Sequence, residues 1–192
     1  MPEFPNWFES DGLNNFDYFL KPLAELPVKT LQIGAYTGDA SMWLFDNVLK
    51  HPDSVLVDVD TWEGSDEPSH HQMNWSSVES VYDQKTFYAR EQRKIVKRKS
   101  TSSHFFKNNM EKYNFIYVDG DHTAQGVLQD AVDSYRALAV GGIIAFDDYQ
   151  WSAGLGEVNE PKLGVDAFWS VYKEQLEVLL VGYQCWFKKI KD

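Results

Sequence analysis

The sequence predicts an α/β fold: a mostly parallel, seven-stranded sheet that helices cover on both faces and that an antiparallel hairpin completes. Short apolar runs alternate with longer stretches of helical periodicity along most of the chain. These runs are almost continuously apolar, as is typical of parallel strands buried on both faces. The last two runs are joined by so few residues that only antiparallel pairing fits.

Each predicted element follows from its local pattern. The segment 124–137 has apolar residues at spacings of three and four, which indicates an amphipathic helix: Val127, Leu128, Ala131, Val132 and Tyr135. The same reasoning predicts strands at 30–33, 54–59, 94–96, 115–118, 142–146, 177–181 and 184–188 and helices at 39–49, 78–93, 103–112, 124–137 and 165–176. We expect one domain over 1–192, with an N-terminal helical segment (1–29) before the core (30–192).

Composition excludes several classes of protein. The chain has 192 residues, and its formal net charge of -11 argues against general nucleic-acid binding, which depends on clustered Lys and Arg. No targeting segment or membrane-spanning apolar run is present, so we expect a soluble protein. The single cysteine, Cys185, cannot form an internal disulfide, which favours a cytoplasmic location.

Aromatic residues are concentrated in two places. Those of segment 2–26 belong either to the core, or to an acceptor site or a contact between copies of the chain. A homo-oligomer is therefore one of the alternatives. Trp62, Trp75, Tyr149 and Trp151 fall in predicted loops, where they suit either the walls of a small-molecule pocket or burial against the sheet.

Polar residues follow five of the predicted strands. Ligands of such sheets bind beyond the carboxyl ends of the strands, so we expect these residues to converge. The stretches concerned are 34–38, 58–62, 100–102, 119–122 and 147–149. In the first, Gly34 and Gly38 bracket a turn whose backbone amides can approach a ligand, although a plain glycine turn with Asp39 at the helix start has the same pattern.

An acid at the end of the second strand is positioned to accept hydrogen bonds from ribose hydroxyls. Asp58 and Asp60 both qualify by their distance from the glycine turn. We prefer Asp60, which lies nearer the end of the strand and precedes Thr61 and Trp62.

Three stretches of the sequence, in this order, carry a family resemblance: LQIGAYTGDASMWL, VDVDTWEGSDE and FIYVDGDHTAQGVLQDAVDSYRALAVGGIIAFDDYQW. The chain resembles class I S-adenosylmethionine-dependent methyltransferases, and within them the metal-dependent sugar O-methyltransferases of macrolide and aminocoumarin biosynthesis. The resemblance implies a Rossmann-like, doubly wound fold. It implies cofactor binding by Gly34, Ala35, Tyr36, Gly38, Asp60, Thr61, Trp62, Ser100, Thr101, Asp119 and Gly120. Gln32 departs from the family, which commonly has an acid there.

The carboxylates at the ends of the fourth and fifth strands predict a cation site. Asp119, Asp147 and Asp148 repel one another unless a cation or protons intervene, and hard oxygen ligands suit Mg²⁺, with Mn²⁺ or Ca²⁺ as alternatives. The resemblance assigns these three as metal ligands. Asp147 and Asp148 can also be read as a polar strand exit.

The resemblance also implies the catalytic step. A cation can orient a diol and lower the pKa of one hydroxyl, and a base then removes the proton. Asp121 matches the family's base position and His122 is the alternative, whereas Asp121 can also serve as a helix cap. We expect a small-molecule acceptor: a sugar, a glycosylated metabolite or a catechol-like diol. A nucleotide-binding oxidoreductase and a non-catalytic cofactor-binding protein stay as alternatives.

Overall fold

A computed structural model describes residues 4–65 and 70–192. Seven strands form one mixed sheet in the order β3-β2-β1-β4-β5-β7-β6. The strands are β1 (Lys29–Ile33), β2 (Val55–Asp60), β3 (Ile95–Lys99), β4 (Tyr113–Val118), β5 (Leu138–Phe146), β6 (Leu176–Val181) and β7 (Cys185–Lys189). The helices are α1 (Trp7–Asp11), α2 (Leu13–Leu20), α3 (Asp39–Asn47), α4 (Trp75–Glu91), α5 (Ser102–Asn108), α6 (Ala124–Ala137) and α7 (Pro161–Tyr172). The predicted fold class is confirmed.

The contacts within the chain group it into two compact units, Met1–Thr101 and Ser102–Asp192. In the first unit, β2 pairs in parallel with β1 and with β3, and the register sets Gln32 beside Asp58. The apolar strand residues Leu31 and Leu56 are fully buried, as expected for strands covered on both faces. Asn74 caps α4 by accepting a hydrogen bond from the backbone N–H of Ser77.

The second unit holds the parallel pair β4 and β5 and the antiparallel hairpin β6 and β7, with β7 antiparallel to β5. The predicted antiparallel pairing of the last two strands is therefore confirmed. Ile116, Ile144 and Trp186 are fully buried in this core. The thiol of Cys185 on β7 is also fully buried and free, and burial raises its pKa to about 12.

The N-terminal segment forms α1 and α2, and its first three residues lie outside the described part of the chain. Phe16 of α2 is fully buried and packs edge-on against Trp43 of α3, whereas Tyr18 is 77% exposed. The segment therefore contributes core residues, as one of the two readings of its aromatics expected. Within 4–65 and 70–192, no helix has the length and apolarity needed to cross a membrane.

Three elements differ most from their predicted bounds. The helix α5 stops at Asn108 because the side chain of Asn109 accepts a hydrogen bond from the backbone of Glu111 and turns the chain. Strand β5 begins at Leu138, before Gly141, and its pairing with β4 shifts register. Helix α7 begins at Pro161, whose fixed φ suits a first helical position.

Candidate active site

The turn between β1 and α3 requires glycine at its two ends. Gly34 and Gly38 have φ of 82° and 84°, in the left-handed region that favours glycine. A Cβ at Gly38 would also lie 3.0 Å from the ring of Tyr82. Tyr36, between them, adopts φ of 47°, which is costly for an aromatic residue and must be held by its surroundings.

Asp60 is the last residue of β2, and its carboxylate holds this turn in place by hydrogen bonds. Its Oδ2 accepts hydrogen bonds from the backbone N–H groups of Ala35, at 2.7 Å, and Tyr36, at 2.9 Å. Its Oδ1 accepts one from the backbone N–H of Trp62 at 2.6 Å. Successive backbone N–H groups in such a turn form an anion-binding concavity, which the carboxylate occupies. A carboxylate offers about four acceptor positions, so Asp60 keeps capacity for hydroxyl donors.

Trp62 lies beneath the turn, with only 2% of its surface exposed. Its Nε1 donates a hydrogen bond to the carbonyl oxygen of Tyr36 at 2.9 Å. Its ring packs against the ring of Tyr82, with centroids 4.7 Å apart, and the Nζ of Lys97 lies 4.4 Å from its centroid. Of the two readings of this tryptophan, the structure supports burial.

Tyr36 projects its ring into an aromatic cluster on the first unit. The ring stacks on Trp7 of α1, with centroids 4.8 Å apart and planes 28° apart, and meets Phe4 and Trp75 edge-on. Partial burial, and then the nearby charge of Asp39, raise the pKa of Tyr36 to about 12. The phenol therefore stays neutral at physiological pH.

Asp58 has a different environment from Asp60. It is fully buried, and Tyr82 donates its hydroxyl to the carboxylate at 2.7 Å. Burial raises the pKa of Asp58 to about 7, partly offset by the hydrogen bond from Tyr82. Next to it, Gln32 donates its amide N–H to the carbonyl of Gly34 at 2.9 Å, so the amide supports the glycine turn from inside the sheet.

The remaining predicted cofactor residues of the first unit follow the ends of β2 and β3. The backbone N–H of Ser100 donates to the carbonyl of Asp60 at 2.9 Å, which ties the two strand ends together. The hydroxyl of Ser100 donates to the carbonyl of Thr101 at 2.9 Å. Thr61 accepts a hydrogen bond from the backbone of Glu63 through its Oγ1. These loops thus carry hydroxyl groups beside the acid.

The second unit gathers acids and a histidine after β4 and β5. The Nε2 of His122 lies 3.1 Å from Oδ2 of Asp148 and 3.9 Å from Oδ1 of Asp119, and one ligand atom from each residue falls within 4.8 Å of the others. Tyr183 donates its hydroxyl to Oδ1 of Asp148 at 2.7 Å. Such a group has the spacing and the ligand types that can hold a divalent cation.

Asp147 has another set of partners. Its Oδ1 accepts a hydrogen bond from Nε2 of Gln184 at 2.8 Å, and Trp186 in turn donates to Oε1 of Gln184 at 2.9 Å. Burial and then the charge of Asp148 raise the pKa of Asp147 to about 6. The pKa of Asp119 is also well above its usual range, because of burial and then the charge of Asp147. The predicted metal ligands are Asp119, Asp147 and Asp148. The residues whose ligand atoms lie close enough together to share a cation are instead Asp119, His122 and Asp148.

Asp121 lies at the start of α6. Its Oδ1 accepts a hydrogen bond from the backbone N–H of Thr123 at 2.8 Å, and a Cβ at Gly126 would collide with its carboxylate. Thr123 itself caps the helix, accepting from the backbone N–H of Gly126 at 3.0 Å. His122, by contrast, lies with the acids and packs against Trp151, with ring centroids 5.0 Å apart. Gly120 precedes both.

The sequence of the chain matches the family model described as "Methyltransferase domain" over residues 31–149, which is more than half of its length. The chain belongs to this methyltransferase family. The match covers the glycine turn, Asp60 and the acidic group of the second unit (Asp119, His122 and Asp148), and it ends at Tyr149. The predicted class, an S-adenosylmethionine-dependent methyltransferase, is confirmed by this membership, which sets aside the oxidoreductase alternative.

Solved structures share the fold of this methyltransferase at low sequence identity. A protein assigned as an rRNA methylase from Clostridium thermocellum has a TM-score of 0.70 at 12% identity, with 95% of this chain and 97% of that chain covered. The O-methyltransferase from Bacillus cereus in complex with SAH has a TM-score of 0.61 at 16% identity, with coverage of 89% and 79%. TomG, an O-methyltransferase from Streptomyces achromogenes in complex with SAM, has a TM-score of 0.61 at 14% identity, with coverage of 98% and 92%. No curated protein matches the sequence.

The turn of the C-terminal hairpin supplies contacts that sequence reasoning missed. Tyr183 and Gln184 hold Asp148 and Asp147 from this turn, whereas the sequence predicted a strand beginning at residue 184 and gave neither residue a role at the acids. A signal was present, because an amide inside an apolar run has to find a partner when it is buried. Gln184 is fully buried in this methyltransferase.

Proposed function

We propose that this methyltransferase transfers the methyl group of S-adenosylmethionine to a hydroxyl group of a small molecule that carries a diol, with a divalent cation at the acidic group of the second unit. The observation that carries the proposal is the pair of carboxylates Asp119 and Asp148, whose ligand atoms lie within 4.8 Å of each other and of His122. The O-methyltransferases among the structural neighbours support the choice of a hydroxyl acceptor.

The donor part of the proposal rests on the glycine turn and Asp60. The acid is anchored by three backbone N–H groups, so its remaining acceptor positions are fixed in direction and suit the two hydroxyls of a ribose. We assign the donor's methionine part to the turn Gly34, Ala35, Tyr36 and Gly38, and its adenine to the loop of Ser100 and Thr101. Thr61 completes the donor residues that we propose in the first unit, and Asp119 and Gly120 of the second unit are proposed separately, from the family resemblance alone. SAM and SAH in solved structures of the same fold support this assignment.

The residues of the second unit fit a divalent cation. Burial and then repulsion by neighbouring carboxylates raise the pKa values of Asp119 and Asp147, and a bound cation would relieve this repulsion. We propose Asp119, Asp147 and Asp148 as the carboxylates that hold it, with Mg²⁺ the first candidate. When bound, such a cation lowers the pKa of a coordinated hydroxyl and orients a diol.

His122 is the base that the geometry favours over Asp121. An alcohol is a poor nucleophile until its proton is removed, and an imidazole is suited to that task near neutral pH. His122 lies beside Asp148, which orients the ring through Nε2. Asp121 already accepts the backbone N–H of Thr123 and serves the start of α6. We therefore assign proton removal to His122 and, to Asp121, a structural role in the turn that precedes α6.

The first experiment separates donor binding from turnover. Calorimetric titration with S-adenosylhomocysteine measures the donor site, and transfer of radioactive methyl from S-adenosylmethionine to a panel of sugars, catechols and RNA measures turnover, each with Mg²⁺ and with EDTA. We expect binding without metal and diol methylation that requires it. Donor binding without methylation of any diol would support the non-catalytic alternative, and methylation of RNA alone would contradict the small-molecule acceptor.

The second experiment tests the residues. Asp148→Asn should abolish metal-dependent turnover and leave the affinity for S-adenosylhomocysteine unchanged, whereas Asp53→Asn, at a side chain that is 83% exposed, should change neither. His122→Ala should lose about 10²- to 10⁴-fold in kcat and regain part of it with added imidazole. A larger loss in Asp121→Asn than in His122→Ala would reverse the assignment of the base.

We further propose a cytoplasmic location, which the single, free thiol of Cys185 supports.

A further inference from the structure

We propose that Trp62 is a positioning residue that acts on the methyl donor through the backbone of Tyr36, by holding the glycine turn in its binding conformation. The inference rests on the proposed donor site. It goes beyond that site because the side chain of Trp62, with 2% of its surface exposed, reaches the donor only through its neighbours.

The turn needs an external support. Tyr36 adopts φ of 47°, a conformation in which the Cβ of an L-residue crowds its own backbone. Left unsupported, the peptide groups on either side of Tyr36 can rotate to an ordinary conformation, and the N–H groups that meet Asp60 would then turn away. Residues in such conformations persist only where the surroundings over-determine them.

Two contacts hold Tyr36 from opposite ends of its backbone. Asp60 accepts its N–H at 2.9 Å, and the indole N–H of Trp62 donates to its carbonyl oxygen at 2.9 Å. Trp62 has itself a left-handed backbone, with φ of 50°, and its own N–H is bonded to Asp60 at 2.6 Å. The two strand ends therefore hold each other through one carboxylate and one indole.

Contacts with α4 and β3 fix the indole in place. Its ring packs against the ring of Tyr82, with centroids 4.7 Å apart, and the Nζ of Lys97 lies 4.4 Å from its centroid. Lys97 is held in turn by Glu79 at 2.7 Å and Asp83 at 2.9 Å. Helix α4 supplies Tyr82 and both acids, so the rigidity of this helix is passed to the turn.

The test replaces the indole and keeps an aromatic ring. Trp62→Phe removes the N–H, and we expect the Kd for S-adenosylhomocysteine to rise about five- to tenfold, the loss expected when one buried hydrogen bond is removed. The KM of the acceptor should stay within twofold of the wild-type value. A purely structural role would instead weaken donor and acceptor together.

Trp75→Phe is the matched control. Trp75 also donates its indole N–H to a carbonyl, that of His70 at 3.3 Å, and it also packs edge-on against the ring of Tyr36, but it makes no hydrogen bond to the turn. We expect its Kd for S-adenosylhomocysteine to stay within twofold. Equal weakening in the two variants, or an unchanged Kd in Trp62→Phe, would overturn the proposal.

A second variant covers the case in which Trp62→Phe does not fold. Replacing Trp62 by 3-benzothienylalanine exchanges the N–H for sulfur in a ring of nearly the same shape, so the packing against Tyr82 is kept. The same five- to tenfold rise in Kd is expected, and an unchanged Kd refutes the role of the N–H. If the wild-type protein does not bind S-adenosylhomocysteine, the proposed donor site fails; if it binds and the variants bind equally well, this inference alone fails.

Discussion

Asp58 makes the stability of this protein depend on pH in a direction that can be measured. The side chain is fully buried, and its pKa rises from 3.8 to about 7 on folding. A raised carboxyl pKa means that the folded state binds the proton more tightly, so the contribution to stability is full below the unfolded pKa and is lost as pH rises toward 7. The shift of about 3 units corresponds to about 4 kcal/mol at most.

Asp58→Asn removes the titration and keeps an oxygen that can accept the hydroxyl of Tyr82. Between pH 5.5 and 8, the linkage relation predicts that the variant gains about 2 kcal/mol in free energy of unfolding relative to the wild type. Urea denaturation at both pH values measures it. Other buried acids, Asp119, Asp130 and Asp147, also have raised pKa values, but they are present in both proteins and cancel in the difference.

Asp46→Asn, on the exposed side of α3, is the matched control and should show a difference that does not vary with pH. A difference between Asp58→Asn and wild type that stays constant from pH 5.5 to 8, or that shrinks, would refute the assignment of a raised pKa to this carboxyl.

Three further predictions concern the turn, a cap and the donor acid. Gly38→Ala should lower the free energy of unfolding by about 1 to 3 kcal/mol, from its positive φ and the contact with Tyr82, measured by urea denaturation. Gly141→Ala, at a similar φ with open space around it, should cost less, and an equal cost would show that the contact does not matter. Thr123→Ala should lower the free energy of unfolding by about 1 kcal/mol, because it removes the cap of α6. An unchanged melting temperature would argue against the cap. Asp60→Asn should raise the Kd for S-adenosylhomocysteine about 10- to 100-fold in calorimetry, because an amide N–H₂ cannot accept the same N–H donors, and unaltered binding would contradict the donor site.

The sequence predicted the elements well because the signals that make strands and helices are local. Periodicity places α6 at 124–137 in both sequence and structure. The role of a polar side chain, by contrast, depends on neighbours that are distant in sequence. Asp58 and Asp60 are two residues apart and therefore lie on the same face of β2. Asp58 lies inside the strand and is buried, whereas Asp60 lies at the end of the strand and contacts the turn.

The acidic group shows the same limit. Adjacent aspartates at the end of β5 are visible in the sequence, but the residues that distinguish them are Gln184 and Tyr183, which lie on the hairpin that returns beside β5. No local pattern relates them. Likewise, the left-handed backbone of Trp62 has no signature in a tryptophan, because it is imposed by the bonds around Asp60.

The burial of the chain's single thiol provides a way to time the opening of the second unit. Cys185 has no exposed surface, and its pKa of about 12 leaves almost no thiolate in the native state, so alkylating reagents can react with it only after β7 has separated from its neighbours. The labelling rate of the unmodified protein therefore reports how often this strand is released. Because β7 pairs with both β5 and β6, comparing that rate with and without bound ligand would show whether ligand binding slows the local opening of the hairpin.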